Sequence, residues 1–406
     1  MARTVARLAD GTRVTDLVSL GVVAAAFPLA KVRAVLGTTG KASVRQRDLP
    51  AHVVMYYVIA LSLFMQVSCR EVLRCLLDGL RWLRFGGRLV AVAGDSAISQ
   101  ARSRLGSEPV RLLHDEVVGP IATPQTKGAW YRRWKLISLD GSTFDVADTE
   151  ANDKAFGRPP ASRGSSAFPQ IRFVSLVENG THVLFGTVWG AYAVQEGELA
   201  EGLFCRLYKG MLCLADRYYY SYKRWQTAQA TGADLLWRVK TRIRMPVLKR
   251  FPDGSYLSKV YPTERDRRHD TNGIWVRAID YRLEGIPKAE PLYRVITTIL
   301  DPEEAPAPEL AALYHERWEI ETAFDELKTH LRGNRIVLRS KTPELVTQEF
   351  YGLLMAHYAV RGLMHEAALK GGVDPDTISF VHAVRVIRRK LPLVHALSPS
   401  GPEAVP

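Results

Sequence analysis

Between Leu313 and Leu331 the chain reads L-Y-H-E-R-W-E-I-E-T-A-F-D-E-L-K-T-H-L, and two sets of side chains run along it side by side. On a helix turning about 100° per residue, Tyr314, Arg317, Glu321 and Lys328 fall within an arc of roughly 60°. Beside that arc lies an apolar stripe of Leu313, Ile320, Phe324, Leu327 and Leu331. A solvated helix scatters its charges as i,i+4 pairs around such a stripe. Here the polar set is ordered: one carboxylate stands between two cations and a phenol, a chemistry suited to phosphate and metal. Glu319 and Glu326 project away from the arc and are expected in solvent, whereas Trp318 borders it.

The rest of the chain must supply a surface for that helix. Its length allows two or three domains with a sizeable core. Lysine and arginine exceed aspartate and glutamate to give a net charge of +13, with an isoelectric point of about 9.6. That balance favours polyanions, of which nucleic acid is the commonest. The four cysteines (Cys69, Cys75, Cys205 and Cys213) show no C-x-x-C spacing and read as reduced, buried side chains. The apolar run Val53 to Met65 falls short of the ~20 residues a bilayer needs, so it predicts a buried core helix. Arg3 and Arg7 are followed by no apolar run with a cleavage site, which predicts a cytoplasmic protein.

The first hundred residues read as helical. Ser68-Cys-Arg-Glu71 is a capping box opening a helix through Leu80, Asp95 caps a helix over Ser96 to Leu105 closed by Gly106, and Pro109 starts another. After a linker over Gly119 to Gly128 the texture changes. Trp134 to Leu139 predicts a short strand ending at Asp140-Gly141-Ser142. Ile171 to Val177 and His182 to Val188 flank Glu178-Asn179-Gly180 as a hairpin. A helix over Glu196 to Tyr208, a strand over Met211 to Ala215, a second helix and a strand over Leu235 to Val239 complete an α/β layer with a mixed sheet. Strand-like runs at 247–251, 256–260, 274–281 and 293–299 predict a β-rich insertion. A long helix from Thr342-Pro343-Glu344 to Gly371-Gly372 follows the signature segment. Then come a basic helix over Ser379 to Leu391 and a Pro-rich tail, Pro392 to Pro406.

Two aspartates stand where predicted strands end: Asp140 after L-I-S-L and Asp216 after M-L-C-L-A. Functional groups of α/β sheets gather at such ends. With Glu321 they make three carboxylates expected to meet within a few ångströms, an all-oxygen set suited to Mg²⁺ or Mn²⁺. Taken singly, each has an ordinary reading as a turn residue, cap or surface ion pair. Asp145, Asp148 and Glu150 fall in the exit from Asp140. Basic runs at Arg132, Arg133 and Lys135, at Arg238, Lys240, Arg242 and Arg244, and at Arg385, Arg388, Arg389 and Lys390 are candidates for following a DNA backbone.

The spacing Tyr314-x2-Arg317-x3-Glu321-x6-Lys328 resembles the Y-R-E-K signature of insertion-sequence family 4 transposases, a branch of the DDE transposases. D-G-S at Asp140 and D-R at Asp216 resemble that family's two aspartate regions. Asn152 with Phe156-Gly157, Ala307 to Leu310 and Leu338 to Val346 extend the similarity, as does the stretch from Thr15 to about Leu105. The resemblance implies a ribonuclease-H-like catalytic domain over residues 126–240 and 305–371, interrupted by a β-rich insertion over 241–304. A helical, DNA-binding domain over 1–125 precedes it, and a C-terminal helix and tail over 372–406 follow. It implies that Asp140, Asp216 and Glu321 hold two Mg²⁺ ions, which Mn²⁺ can replace, and that Tyr314, Arg317 and Lys328 grip phosphates. Tyr293 or Trp275 would stack on a flipped base. Cut-and-paste transposition through a hairpin, by a nucleoid-associated bacterial homodimer acting on terminal inverted repeats and target DNA, is the implied activity. The alternatives are an inactive or domesticated relative acting as a DNA-binding regulator, a stand-alone metal-dependent nuclease, a regulator of another class with Ser99 to Arg104 of a helix-turn-helix in a groove and, more distantly, a two-carboxylate glycosidase.

Overall fold

The computed structural model describes residues 15–43, 49–65, 67–80, 93–160, 168–283, 290–331 and 337–389. The tail at Pro392 to Pro406, Arg3, Arg7, Lys390, and the side chains of Cys75, Arg388 and Arg389 lie outside the described residues. The chain divides into two compact units, one of residues 1–121, 144–170 and 324–406, the other of 122–143 and 171–323.

The first unit is almost wholly helical: α1 (Thr15–Ala26), α2 (Leu29–Thr38), α3 (Ala51–Leu63), α4 (Cys69–Leu80), α5 (Asp95–Leu105), α6 (Glu108–Val117), α7 (Glu150–Phe156), α13 (Pro343–Gly371) and α14 (Phe380–Arg389). The Val53 to Met65 run lies in and just beyond α3, buried as expected of a core helix. No helix among the described residues is long and apolar enough to cross a membrane. The Ser68 hydroxyl accepts the Glu71 N–H at 3.2 Å, as the capping box requires. α5 starts one residue early, with Gly94 as its N-cap and Asp95 in its first turn. Of the cysteines, Cys213 is buried, Cys69 half-buried and Cys205 exposed, so the expectation of uniformly buried thiols fails at Cys205, in the turn after a short helix.

Buried polar groups tie this unit together. Arg102, only 6% exposed, donates to Gln348 Oε1 (3.1 Å), Ser340 Oγ (3.1 Å) and the Leu345 carbonyl (2.9 Å). That commitment removes it from the exposed face a groove-reading helix at Ser99 to Arg104 would need. Asn152, fully buried, donates to the Ala147 and Ser340 carbonyls at 2.9 and 3.0 Å. Glu326 is not solvent-facing: it is 5% exposed, and its carboxylate takes Arg361 Nε at 2.8 Å and lies 3.2 Å from His357 Nε2. Capture by a buried guanidinium offsets the cost of drawing the carboxylate inward.

The second unit is built on a mixed sheet in the order β4-β3-β2-β5-β6-β10-β9-β8-β7, with β1 (Trp130–Tyr131) paired to β2. The strands are β2 (Trp134–Asp145), β3 (Gln170–Glu178), β4 (Val183–Ala191), β5 (Met211–Ala215), β6 (Asp234–Arg238), β7 (Lys249–Arg250), β8 (Tyr256–Val260), β9 (Ile274–Tyr281) and β10 (Tyr293–Thr297). β2, β5 and β6 are parallel neighbours, and every residue of β5 is buried, the signature of a central strand covered on both faces. The strands of 241–304 continue this sheet, because β10 pairs antiparallel with β6. Helices α8 (Glu196–Glu201), α9 (Tyr222–Gln229), α10 (Glu264–His269) and α11 (Ala307–His315) connect them. α8 stops well short of Tyr208, at Gly202. Leu310, Leu313 and Tyr314 of α11 join Leu136, Leu212, Leu214, Leu236 and Val295 in one apolar cluster.

The signature segment is not one regular helix. α11 gives way to a 3₁₀ turn (Glu316–Trp318), then to α12 (Glu319–Asp325), then to a π-helical turn (Glu326–Leu331). The apolar stripe is nonetheless buried, with Ile320 and Leu327 at 0% exposure. Such departures from regular geometry concentrate at functional sites. Gly352 permits the contact of α13 with α3, since a Cβ there would lie 2.6 Å from the Val58 carbonyl oxygen. Gly352→Ala is expected to lower unfolding free energy by about 1–3 kcal/mol through this overpacking, read as a lower urea midpoint at unchanged slope.

Candidate active site

Strand register creates the site. The parallel pairing of β2 with β5 runs from Lys135↔Met211 to Leu139↔Ala215. Asp140 and Asp216 are each the next residue, so the sheet delivers both at the same level of adjacent strands. Asp140 does not end its strand, as the sequence predicts; β2 continues to Asp145 after losing its β5 partner. What ends at Asp140 is the pairing, and that suffices to bring its side chain to the rim.

Arg317, from the 3₁₀ turn after α11, reaches this rim. Its Nη1 lies 3.0 Å from Asp140 Oδ2 and its Nη2 4.0 Å from Glu321 Oε1. The 3₁₀ turn and the start of α12 place Arg317 and Glu321 one turn apart, so one guanidinium spans both carboxylates. Glu321 keeps 53% of its side chain exposed, while Arg317 keeps 10%. Among the described residues, Asp140, Asp216 and Glu321 are not gathered within 4.8 Å of one another, contrary to the expected convergence. Like-charged carboxylates settle around a cation, and here the cation is Arg317.

The electrostatics follow. Burial raises the Asp140 pKa above the ordinary carboxylate value and Asp216 adds to the rise, against the pull of Arg317 and the Gly141 N–H. Burial alone would lower the Arg317 pKa, but Tyr314, Asp140, Asp216 and Glu321 together hold it above its ordinary value. Three carboxylates, two of them on neighbouring strands, offer the all-oxygen chemistry that suits a divalent ion such as Mg²⁺ or Mn²⁺, although their oxygens would have to close in to share one.

The other signature residues are placed differently. Tyr314 is 5% exposed inside the apolar cluster, its hydroxyl 3.4 Å from the Ala215 carbonyl oxygen, and burial drives its pKa upward. It braces the strand end that carries Asp216. Lys328 is half-buried in the π-turn, within the helical unit. Tyr293 stacks on Tyr281 at 5.5 Å between centroids and bears the Arg238 guanidinium at 4.4 Å. Trp275 is 45% exposed, with Lys259 Nζ 4.6 Å above its ring. Trp318 is exposed, and Glu319, expected in solvent, instead accepts the Gly180 N–H at 2.6 Å. Asp145 accepts from Gln170 at 2.7 Å, Asp148 pairs with Arg158, and Glu150 opens α7.

Two residues that the sequence did not single out adjoin Asp140. Tyr219 places its hydroxyl 3.4 Å from Asp140 Oδ1 and 3.3 Å from Glu196 Oε2. Burial raises the Glu196 pKa, with Asp140 adding to it. Of the basic runs, Arg132 pairs with Glu309, Arg133 with Glu304, Lys135 with Glu178 and Arg238 with Glu290, whereas Arg244 is largely exposed.

Two known families match the chain. The description "Insertion element 4 transposase N-terminal" matches residues 17–115, and "Transposase DDE domain" matches residues 135–359. The match over residues 135–359 makes this chain a DDE transposase: an enzyme that binds, cleaves and transfers DNA strands using divalent metal. Within that class the chain belongs to the insertion-sequence family 4 transposases. It is 29% identical over 373 residues to the transposase InsG for insertion sequence element IS4 of Escherichia coli K12, covering 90% of this chain and 81% of that protein. It is 26% identical over 219 residues to the putative transposase InsZ of the same organism, covering 52% of this chain and 68% of that one. The solved piggyBac transposase synaptic complex with hairpin DNA is similar at a TM-score of 0.46 and 11% identity, covering 94% of this chain and 82% of that one.

Arg317→Gln would leave the rim carboxylates without their cation. A loss of about 2 kcal/mol of unfolding free energy at neutral pH is expected, the scale of a charged hydrogen bond, measured by urea denaturation. Millimolar Mn²⁺ should restore part of it.

Proposed function

We propose that this transposase excises and reinserts an insertion sequence by a cut-and-paste route. Asp140, Asp216 and Glu321 would hold two Mg²⁺ ions, with Mn²⁺ able to replace them. The observation that carries the reading is the register that ends β2–β5 pairing at Leu139↔Ala215, with Arg317 linking Asp140 to Glu321. When bound, the ions would supply activation of the attacking oxygen and charge stabilisation at the leaving oxygen.

The chain's own residues do the rest. Arg317 has two alternatives, the carboxylates it now touches and a DNA phosphate, for which its planar fork is suited. Engagement of a phosphate would draw the guanidinium off Asp140 Oδ2 and leave that oxygen to the metal, so that DNA binding and metal binding reinforce each other. Lys328 would act as a point charge on a DNA phosphate, and Tyr314 would hold the Asp216 strand end from within the core. Trp275 has an accessible ring and suits stacking on a flipped base, while Tyr293 is engaged by Tyr281 and Arg238. A freed 3′-OH attacking the opposite strand would give the hairpin intermediate. Two copies acting on paired inverted repeats would complete a homodimeric synaptic complex.

Asp140→Asn, Asp216→Asn and Glu321→Gln are each expected to abolish nicking of a duplex carrying the element's terminal repeat. Gel-shift binding of that duplex should stay close to wild type. Wild-type nicking by any one of them in Mg²⁺ removes that residue from the set. Lys328→Ala should reduce the salt-dependence slope of end binding by about one, as loss of a single phosphate contact does.

A further inference from the structure

We infer that Tyr219 and Glu196 are positioning residues for Asp140: a buried phenol pinned by a second carboxylate fixes which oxygen Asp140 turns toward the reaction. An Asp side chain rotates softly about its last torsion, so its two oxygens exchange places unless something holds one of them. Here Oδ1 accepts the Gly141 N–H at 2.9 Å and faces the Tyr219 hydroxyl at 3.4 Å, leaving Oδ2 to the Arg317 side.

Tyr219 is held in turn. The Asp216 carbonyl accepts its N–H at 3.0 Å, and the Asp216 carboxylate accepts the Tyr218 N–H at 3.0 Å, so the turn after β5 folds back and sends the ring under Asp140. The ring is 1% exposed. Its hydroxyl carries one proton and faces two carboxylate oxygens, Asp140 Oδ1 and Glu196 Oε2, at nearly equal distance. The other Glu196 oxygen lies 3.9 Å from Arg172 Nε, and that guanidinium is fixed over the Tyr192 ring at 4.3 Å with Nη1 on the Val194 carbonyl at 2.9 Å.

Gly141 is what admits Glu196. A Cβ at that position would lie 2.8 Å from Glu196 Cδ and 3.0 Å from its Cγ. A side chain immediately after Asp140 would therefore push the Glu196 carboxylate from its place beside Tyr219. The chain of contacts runs from Arg172 through Glu196 and Tyr219 to Asp140, and none of its three supporting side chains comes from the signature segment.

This inference rests on the reading of Asp140 as a metal ligand, and its test separates the two. Mn²⁺ binding to the full chain without DNA would be followed by electron paramagnetic resonance of the free ion. Wild type, Asp140→Asn, Tyr219→Phe, Glu196→Gln and Glu196→Ala would be compared, each checked for unchanged metal-free thermal unfolding. Tyr219→Phe should weaken Mn²⁺ binding about 10- to 100-fold, the range for outer partners of metal ligands. Glu196→Ala should fall with it, Glu196→Gln should stay nearer wild type because the amide oxygen still accepts, and the Tyr219→Phe/Glu196→Ala double variant should be no weaker than either single change. Wild-type Mn²⁺ affinity in both Tyr219→Phe and Glu196→Ala, alongside lost affinity in Asp140→Asn, overturns the positioning role alone. Wild-type affinity in Asp140→Asn overturns the ligand reading and this inference with it.

Discussion

A single guanidinium sets the terms for the rim that carries Asp140 and Asp216. Arg317 sits where three carboxylates face it, two delivered by adjacent strands and one by its own segment, and its contact with Asp140 at 3.0 Å is the shortest link in the set. Without a cation there, half-buried Asp140 beside Asp216 would face repulsion and desolvation together. The same demand for positive charge is the ground on which divalent metal is proposed to bind here. One electrostatic requirement thus underlies both the packing of the rim and the proposed chemistry, and in this structure it is met by a guanidinium, a group whose planar fork suits phosphate.

The sheet makes this economical. Parallel pairing between β2 and β5 needs only five matched positions to put Asp140 and Asp216 level. Tyr314 secures the β5 end from the apolar cluster, and the turn after β5 uses Asp216 itself to return Tyr219 beneath Asp140. The signature segment departs from α-helical geometry twice between His315 and Leu331, once where Arg317 turns to the rim and once where Glu326 is drawn to buried Arg361 and His357. A regular helix would hold its side chains at fixed increments. The 3₁₀ and π turns release Arg317 and Glu326 from that constraint at the two positions where buried ion pairs form.

Much of this was legible in the residues. M-L-C-L-A is short, apolar and closed by Asp216, and it is a buried central strand ending there. The apolar stripe of Leu313, Ile320, Phe324, Leu327 and Leu331 correctly gave the face to be buried. Asp140 was found through the apolar run before it, but Asp140-Gly141-Ser142 reads as a turn and so hides the continuation of the strand through Thr143 and Phe144. Glu319 and Glu326 were misplaced because helical spacing says nothing of a partner distant in sequence: a Gly180 N–H for one, Arg361 for the other. Tyr219 and Glu196 carry no spacing signal at all, since only the register of strands and the turn after β5 bring them to Asp140. The strands of 241–304 were recognisable singly, yet their membership of the main sheet depends on the β10–β6 pairing, which composition does not encode.

The most direct measurement is an anomalous-diffraction map of the full chain bound to its own terminal-repeat duplex and soaked in Mn²⁺. Manganese peaks bounded by carboxylate oxygens of Asp140, Asp216 and Glu321, with the Arg317 guanidinium moved onto a DNA phosphate, are the expected result. Manganese held elsewhere, with Arg317 still on Asp140 beside a bound DNA end, would contradict the central claim.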